Sequence, residues 1–376
     1  MQIDTQERRM LREAAERFAE REYSFEVRNR SAALPEGFDL AHWQRYAEMG
    51  WLALGLPEDC GGFGDIHDQL ALAEALGSML ALEPWLANLG LAAPILAASE
   101  RPEHRALLSA LAEGRMQVAL AAWEPGGRYD AFETRTIATS LPNGRIRIDG
   151  RKSLVLGGGT AHRLIVSARM SGAPRDPGGI ALFLIDINAT GVSRRNLPGY
   201  DGQPLSMVEL SGVEIDASAL VAAPDSGWPL LESAIDRATV LACAQAVGAM
   251  DLALARTREY LSTRKQFGRV LTSNQVIRHR LVDLYVAIEQ SRAITESAAG
   301  RLDAARDARI RSVSQAKAFV SQAARRTGED AVQLHGAIGM TDEYQVGHAY
   351  KRLAAFANLF GDAPWHLQRL AALGSA

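Results

Sequence analysis

The chain has 376 residues, of which 47% are hydrophobic and 23% are charged, as is usual for a globular protein. The formal net charge is -3, and no basic face of the kind that nucleic-acid binding requires stands out in the sequence. Two cysteines, Cys60 and Cys243, are too few for a disulfide framework and have no CxxC metal spacing, so a reducing cytoplasm is the expected location.

The first third of the chain is predicted to be helical. Asp4 offers a cap, and apolar residues then recur at helical spacing over Leu11–Phe18. The same spacing returns over 38–50, and prolines punctuate further helical patterns up to about Gly114. We therefore expect a helical N-terminal domain over residues 1–115.

The middle of the chain changes to short β-strand patterns. β-Branched residues alternate over 134–140 and 145–149, and Asn143-Gly144 between them is a strong hairpin turn signal. Further short strand patterns follow at 163–168, 180–186 and 206–210. This succession predicts a small antiparallel barrel or sandwich, which we assign to residues 116–225.

From Trp228 the pattern is helical again. Thr239–Ala255 is apolar nearly all round, which predicts a helix buried in a bundle. Its most apolar run, 238–250, is interrupted by Gln245 and is too short and too polar to cross a bilayer. Further helical patterns follow, so residues 226–376 are expected to form a four-helix bundle and the fold class is α+β.

Three short segments together carry a family resemblance. Pro57–Gly62 reads PEDCGG, Arg264–Gly268 reads RKQFG, and Gln333–Gly339 reads QLHGAIG. These motifs, and the order of helical, β and helical segments, resemble the acyl-CoA dehydrogenase family over essentially the whole chain. The resemblance implies the fold of that family, FAD as cofactor, and α,β-desaturation of an acyl-CoA thioester with electrons passed to an electron-transfer flavoprotein.

The resemblance assigns cofactor contacts to the two C-terminal motifs. FAD carries an anionic pyrophosphate, and Arg264 supplies a fixed fork of N–H donors that suits phosphate oxygens. In the family this arginine reaches the cofactor of the neighbouring subunit, and the glycines let backbone amides approach the dinucleotide. Ala337 replaces the second glycine of the last motif. The FAD-binding residues expected on this basis are Arg264, Gln266, Phe267, Leu271, Gln275, Gln333 and Gly336.

The positions that would contact the flavin ring depart from the family pattern. Trp123 stands where the TEPGAGSD loop of the family begins with threonine, and Leu154 and Leu156 replace the tryptophan and the threonine of KxWIT. Two lost hydroxyl donors remove hydrogen bonds worth about 0.5–1.5 kcal/mol each. The following Gly157–Gly159 lacks GxGxxG spacing and predicts a turn.

The catalytic base also departs from the pattern. Removal of an α-proton needs a carboxylate in a dry pocket, but the two family positions for it fall on Phe360 and Ala238. Asp236 would face away from Ala238, because two residues turn a helical side chain by about 200°. Asp362 has two interpretations, as the catalytic base or as the N-cap of a helix that starts at Ala363-Pro364.

Two histidines near the last motif are expected to be structural. His335 and His348 have no Cys, Asp or Glu at ligand spacing, so a metal site is not expected. Each is interpreted as a hydrogen-bonding side chain of the helical bundle rather than as a proton shuttle.

The losses form a pattern that predicts a partner. Groups that would serve a neighbour's cofactor are kept, whereas groups that would hold this chain's own flavin ring are lost. The local resemblance is strongest to small subunits of bacterial two-component enzymes, such as those acting on pimeloyl-CoA or steroid side chains. We therefore expect an α2β2 enzyme whose partner chain carries the flavin ring, the base and the acyl pocket.

Two alternatives remain open from the sequence. The chain can be a self-sufficient homo-oligomeric acyl-CoA dehydrogenase with Asp362 as the base. It can also be a flavin-free scaffold or an acyl-CoA-binding module. In each case neither nucleic acid nor a membrane is an expected partner.

Overall fold

The structure, a computed structural model, describes residues 6–99, 101–176 and 178–374. The predicted cap at Asp4 lies outside these residues. Helices precede Val118, the strands of one large sheet lie between Val118 and Ala222, and a long helix begins at Gly227. The predicted order of helical, β and helical segments is therefore confirmed.

The helices have the following bounds. They are α1 (Gln6–Arg21), α2 (Phe25–Ala32), α3 (Leu40–Glu48), α4 (Ile66–Ser78), α5 (Ala93–Ala97), α6 (Pro102–Ala112), α7 (Gly227–Thr263), α8 (Gln275–Ala299), α9 (Arg306–His335), α10 (Gln345–Asn358) and α11 (Ala363–Leu373). A π-helix, Leu86–Ala92, runs directly into α5. Within it Asn88 accepts a hydrogen bond from the backbone N–H of Val118 at 2.7 Å, which fixes the start of the first strand.

Most strands are short, as the sequence predicted, but two are longer than expected, with 12 residues in Arg145–Leu156 and 13 in Pro204–Asp216. They are β1 (Val118–Ala121), β2 (Ile137–Ser140), β3 (Arg145–Leu156), β4 (Arg163–Arg169), β5 (Ile180–Asp186), β6 (Val192–Pro198), β7 (Pro204–Asp216), β8 (Leu220–Ala222), β9 (Lys265–Gln266) and β10 (Arg269–Val270). The hairpin between β2 and β3 is confirmed, with Ser140 opposite Ile146 and Gly144 at φ 79°.

The described residues form two compact units. One combines the segment up to Arg30 with Ile66–Ala81 and with the chain from Thr239 onward; the other combines Ser31–Asp65 with Leu82–Ala238. Helices from both ends of the chain thus share one unit. The domain boundaries after residues 115 and 225 stay a prediction, because the two compact units are each made of separate segments and do not divide the chain at these residues.

The helical unit depends on close helix contacts that only glycine allows. A Cβ on Gly248 of α7 would lie 1.8 Å from the carbonyl oxygen of Glu74 in α4. A Cβ on Gly77 of α4 would lie 2.0 Å from the carbonyl oxygen of Gln245. Helices α4 and α7 therefore cross backbone to backbone, and any side chain at either glycine would push them apart. The predicted bundle gains one more helix, α11, which packs against α9.

Helix α7 is longer than its apolar run suggested. It has 37 residues and meets the length and composition of a membrane-crossing helix, with a mean hydropathy of 1.6 in its most apolar window. However, 78% of that window is buried inside the protein. The helix therefore has the character of a bundle core, and by itself it is weak support for a membrane span.

The large sheet runs in the order β6-β7-β3-β2-β4-β5-β8, and β1 pairs with β4. The expectation of purely antiparallel pairing is wrong at two places, because β1 and β2 both run parallel to β4. Alternation of apolar residues indicates which face is buried but not strand direction, so the sequence could not reveal this. The core beneath the sheet contains Ile148, Val166, Phe183, Val208 and Leu210.

Candidate cofactor site

The first cofactor motif is a projecting hairpin between α7 and α8. Strands β9 and β10 pair Gln266 with Arg269. The two central residues have positive φ, 51° at Phe267 and 80° at Gly268, as in a type I′ turn. The backbone N–H of Leu271 donates to the carbonyl of Arg264 at 3.0 Å and closes the base of the hairpin. Phe267 is fully exposed at its tip, although aromatic side chains normally gain by burial.

Cations surround this hairpin without acidic partners. Arg264, Lys265, Arg269 and Arg278 are exposed, and within the described ranges none of their side chains forms an ion pair. Gln275, the first residue of α8, is exposed beside them in the sequence. An excess of positive charge on an exposed turn favours binding of a phosphate group, since guanidinium groups bind phosphate through paired N–H donors.

The second motif ends helix α9. Gln333 is exposed on the last turn, and Gly336 follows at φ 69° with open space where a Cβ would stand. Gly339 is tightly packed, because its Cβ would lie 3.0 Å from the Cβ of His335. Ala337 is exposed and does not have a positive φ, so alanine is tolerated there without backbone strain.

An aromatic stack joins the ends of the helices that carry the two motifs. Tyr260, four residues before Arg264, stacks on His335, two residues after Gln333, with ring centroids 4.6 Å apart and an interplanar angle of 25°. Tyr344 adds a tilted contact to the same imidazole at 5.1 Å. The C-terminal ends of α7 and α9 therefore meet. Sequence reasoning missed Tyr260, although it lies one helical turn before the motif.

The two histidines are structural, as predicted. Nδ1–H of His335 donates to the carbonyl of Ala331 at 2.8 Å, and burial lowers the pKa of its imidazole, which is therefore neutral near pH 7. His348 accepts from Arg28 at 3.2 Å and donates to the carbonyl of Asp342 at 3.0 Å. In the part of the chain that the structure describes, no group of three potential ligands could hold a metal ion.

Trp123 fills space inside its own unit. Its side chain is buried, and its indole N–H donates to the carbonyl of Tyr129 at 3.3 Å. Its own carbonyl accepts from the backbone N–H of Ser153 at 2.8 Å. Hydrogen bonds of the indole N–H and of the backbone carbonyl therefore both hold Trp123 in place.

The two leucines that follow on β3 have different surroundings. Leu154 lies in a β-bulge, is 56% exposed, and has φ 53°, a conformation that costs about 1–3 kcal/mol for such a residue. Leu156 is buried and lines a cavity of about 20 Å³ together with Glu83, Pro84 and Gln203. That volume holds about one water, whereas ligand pockets measure about 300–1,000 Å³.

A buried ion pair supports the loop and strand that carry these positions. Nζ of Lys152 donates to Glu124 at 2.7 Å and to Ser167 at 3.1 Å. Glu124 also accepts from the backbone and the hydroxyl of Thr136. Burial lowers the pKa of Lys152 to about 8. Burial raises the pKa of Glu124, but the charge of Lys152 and the hydrogen bonds from Lys152 and Thr136 together leave the pKa below its usual value.

The turn at the family position of the base is held by buried donors. Phe360 is buried at φ 57°, and its carbonyl accepts from Nε2 of His366 at 3.2 Å. Nζ of Lys317 donates to the carbonyl of Gly361 at 2.7 Å. Burial lowers the pKa of His366 to about 2, so this imidazole is neutral and has a very low affinity for a proton.

Asp362 caps helix α11. Its carboxylate accepts from the backbone N–H of Trp365 at 2.8 Å, and Pro364 occupies the first turn. The cap interpretation is thereby confirmed. Asp362 also lines a cavity of about 530 Å³ between α9, α10 and α11, beside Ser321, Tyr350 and Asn358. The role of Asp362 as a base stays a prediction.

The comparisons with known proteins agree over the whole length of the chain. Family models for the N-terminal, middle and C-terminal domains of acyl-CoA dehydrogenases match residues 5–115, 119–213 and 225–372. The chain belongs to the acyl-CoA dehydrogenase family. FAD is the cofactor of this family, whose members are oxidoreductases acting on acyl-CoA.

Proteins similar to this chain include subunits of complexes. A subunit of a caffeyl-CoA reductase–Etf complex from Acetobacterium woodii is 24% identical over 364 residues, which cover 94% of each chain. A putative acyl-CoA dehydrogenase from Mycobacterium smegmatis has a TM-score of 0.91 at 26% identity, with 99% and 98% covered. The ChsE4-ChsE5 complex from Mycobacterium tuberculosis has a TM-score of 0.89 at 25% identity, with 100% and 99% covered.

The described residues suit different parts of FAD unequally. The hairpin and the Gln333 loop offer unpaired cations and an open glycine, which suit an anionic dinucleotide. At the expected ring positions, Trp123 and Leu156 are buried and offer no hydroxyl donor. The described side chains therefore suit the phosphates of a dinucleotide better than a flavin ring.

Loss of the buried ion pair should destabilise the sheet unit. Lys152→Met leaves Glu124 charged and buried without its cation, so we expect the free energy of unfolding to fall by about 3–5 kcal/mol. Lys152→Met combined with Glu124→Gln should recover part of the loss. Chemical denaturation measures both, with the exposed Arg147→Gln as control. Equal stability of wild type and Lys152→Met would contradict this role.

Proposed function

We propose that this chain is the subunit of an FAD-dependent acyl-CoA dehydrogenase that completes the FAD site of a partner chain. One contrast carries the proposal. Arg264 and Phe267 are exposed on the hairpin that follows α7. The end of α7 contacts the end of α9, which carries Gln333, through the stack of Tyr260 on His335. The positions for a flavin ring of its own are instead filled by Trp123 and Leu156.

The chain's own residues would bind and orient the cofactor. Arg264 would donate its N–H groups to the pyrophosphate, and the neighbouring cations would add attraction. The cofactor would also be contacted from the hairpin and the start of α8 by Gln266, Phe267, Leu271 and Gln275. From the end of α9 and the residue after it, the contacts would come from Gln333 and Gly336. When bound, FAD supplies the hydride acceptor for desaturation of the acyl thioester, while the base would come from the partner.

An exposed apolar stripe supports a partner chain. Val282, Tyr285 and Val286 are exposed on α8, and Val276 lies near the helix start beside Gln275. Large apolar side chains gathered on one exposed helix face mark protein interfaces more often than free surface. Val282, Tyr285 and Val286 share one face of the helix that follows the cofactor hairpin, so a partner that covers this face would bring its FAD near Arg264.

The relatives support the assembly that we propose. The ChsE4-ChsE5 structure is a complex of two named chains, which supports an α2β2 enzyme here. The Acetobacterium relative is named as part of an Etf complex, which supports an electron-transfer flavoprotein as electron acceptor. A cytoplasmic location and the three-domain division at 115 and 225 belong to the same proposal.

Purification alone and with a partner tests the assembly. The chain should lack FAD when isolated, whereas its complex with the product of the adjacent gene should hold FAD and oxidise acyl-CoA. Flavin absorbance and turnover with an artificial electron acceptor measure both properties. If the isolated chain holds stoichiometric FAD and is active, the two-subunit proposal is wrong.

Arg264→Ala should weaken FAD binding by the complex. A charge-assisted hydrogen bond contributes about 1.5–3 kcal/mol, so the Kd for FAD should rise roughly 10- to 100-fold. Fluorescence titration of the apo complex gives this value. Arg311→Ala, at another exposed arginine without an ion-pair partner in the described residues, is the matched control and should leave the Kd unchanged.

Tyr260→Ala should weaken FAD binding without removing any FAD contact. Loss of the stack on His335 uncouples the two motifs, and an aromatic pair contributes about 0.5–1.5 kcal/mol, so the Kd should rise roughly 3- to 10-fold. Tyr260→Phe keeps the ring and should bind FAD like the wild type. A lower melting temperature with an unchanged Kd in Tyr260→Ala would show that the stack serves stability alone.

A self-sufficient dehydrogenase with Asp362 as base is the second candidate. The cavity of about 530 Å³ beside this carboxylate favours it, since the volume is in the range of ligand pockets. Asp362→Asn keeps a good N-cap for α11 and removes the basic oxygen. Turnover should then fall by orders of magnitude with unchanged FAD content, and unaltered turnover would exclude this candidate.

A flavin-free scaffold or acyl-CoA-binding module is the third candidate. The exposed cations around Arg264 argue against it, because a scaffold has no need of an unpaired guanidinium on a projecting turn. Unchanged FAD content in a complex that carries Arg264→Ala would favour it over the first two.

A further inference from the structure

One face of helix α8 is exposed beyond the cofactor hairpin. Val282, Tyr285 and Val286 lie close together on this face and are 45–58% exposed. Leu284, on the opposite side of the helix, is fully buried. Glu289 is also exposed, and it continues the same face because it lies three residues after Val286 and four after Tyr285. The face therefore has an apolar middle and an acidic end, both open to solvent.

A cluster of carboxylates surrounds the acidic end of this face. The guanidinium of Arg292, on α8, is the cation of the cluster. The three carboxylates paired with it belong to Glu74 of α4, at 2.9 Å, to Asp251 of α7 and to Glu289 of α8. We call these four residues the Glu289 cluster. Three carboxylates against one guanidinium leave an excess of two negative charges, on side chains that are 26–45% exposed.

The carboxylates of the Glu289 cluster repel each other. The pKa of Asp251 is raised to about 6, first by burial and also by the charges of Glu74 and Glu289, although Arg292 opposes the rise. An additional cation would relieve this repulsion, because an opposite charge within about 4–6 Å favours the ionised form of a carboxyl group. Unbalanced charge thus borders an apolar surface, and interfaces between chains match such features with complementary ones.

The other end of the exposed face is positively charged. Arg278 lies one turn before Val282, close in sequence to the hairpin that carries Arg264, and it is exposed without an ion-pair partner among the described residues. Arg278 and Glu289 are 11 residues apart, which is about 16 Å along a helix. A surface with opposite charges at its two ends favours one direction of docking, because like charges placed against each other disfavour the reverse direction.

We propose that the partner chain covers this face with an apolar surface that ends in a lysine or arginine at the Glu289 cluster. Its apolar part contacts Val282, Tyr285 and Val286, and its cation compensates part of the excess negative charge. The anionic FAD that the partner carries then lies at the opposite end of the face, near Arg264. The inference rests on the proposed function and deepens it, since it states which charge the partner presents and in which direction it docks.

Calorimetric titration of the chain with the product of the adjacent gene tests the contact. The Kd for assembly should rise with salt concentration. It should rise roughly 3- to 10-fold in Glu289→Gln, which removes one charge, and more than about tenfold in Glu289→Lys, which reverses it. Glu13→Lys changes another exposed glutamate that pairs with an arginine of its own helix, and it should leave the Kd unchanged. A Kd that neither Glu289 variant alters would overturn the proposal.

Proton release on assembly gives a readout in the wild-type chains. A cation of the partner lowers the pKa of Asp251 below its value in the free chain, about 6, so the complex binds fewer protons than the separate chains. The Kd should therefore fall as the pH rises from about 5 to 7. Calorimetry in buffers with different heats of ionisation measures the released protons near pH 6, and Asp251→Asn should reduce their number. Proton release that Asp251→Asn leaves unchanged contradicts the added cation.

Tyr285→Ala tests the apolar part of the face. Aromatic side chains at the centre of an interface contribute much of the binding energy, so the Kd for assembly should rise more than about tenfold. An unchanged Kd would show that the partner does not cover this face. Self-association of the isolated chain, lost in both Tyr285→Ala and Glu289→Lys, would assign the face to a second copy of this chain and overturn the proposal.

FAD content separates this inference from the proposed function. A complex that holds FAD but assembles independently of salt and of Glu289 overturns the docking surface and leaves the proposed function standing. An isolated chain that holds stoichiometric FAD and oxidises acyl-CoA overturns the proposed function and, with it, the need for a partner at this face.

Discussion

The contact of Tyr260 with His335 makes one site out of two distant segments of sequence. Arg264 and Gln333 lie on different helices, and the stack at 4.6 Å is what holds the ends of those helices together. The backbone crossing of α4 and α7 at Gly77 and Gly248 fixes the position of α7 itself. A flat aromatic contact and two missing side chains thus position the hairpin that carries Arg264.

The sheet unit depends on a different kind of contact, a buried ion pair. Lys152 and Glu124 satisfy each other beneath the strand that carries Leu154. Such a pair is costly to bury and strongly destabilising to break, so the geometry of the neighbouring bulge is tightly determined. The flavin-ring positions did not merely lose donors. Two of them, Trp123 and Leu156, are buried, whereas Leu154 is exposed.

The sequence predicted the elements well and the relations between them poorly. The Asn143-Gly144 hairpin and the Asp362 cap follow local rules, because turn and cap preferences involve only neighbouring residues. The parallel pairing of β1 with β4 and the stack of Tyr260 on His335 join residues far apart in sequence. The strain at Phe267 was also hidden, since a motif specifies residue types but not their φ angles.

The exposed tip of the cofactor hairpin has a consequence for how the chain is made. Phe267 is fully exposed, and Val282, Tyr285 and Val286 are exposed on the next helix. The folded chain therefore has an exposed apolar surface that can associate with other proteins. If a partner covers this surface, a surplus of the chain becomes prone to aggregation and to removal by proteases. Balanced synthesis of the two chains would then be a requirement of the cell and not only of the active site.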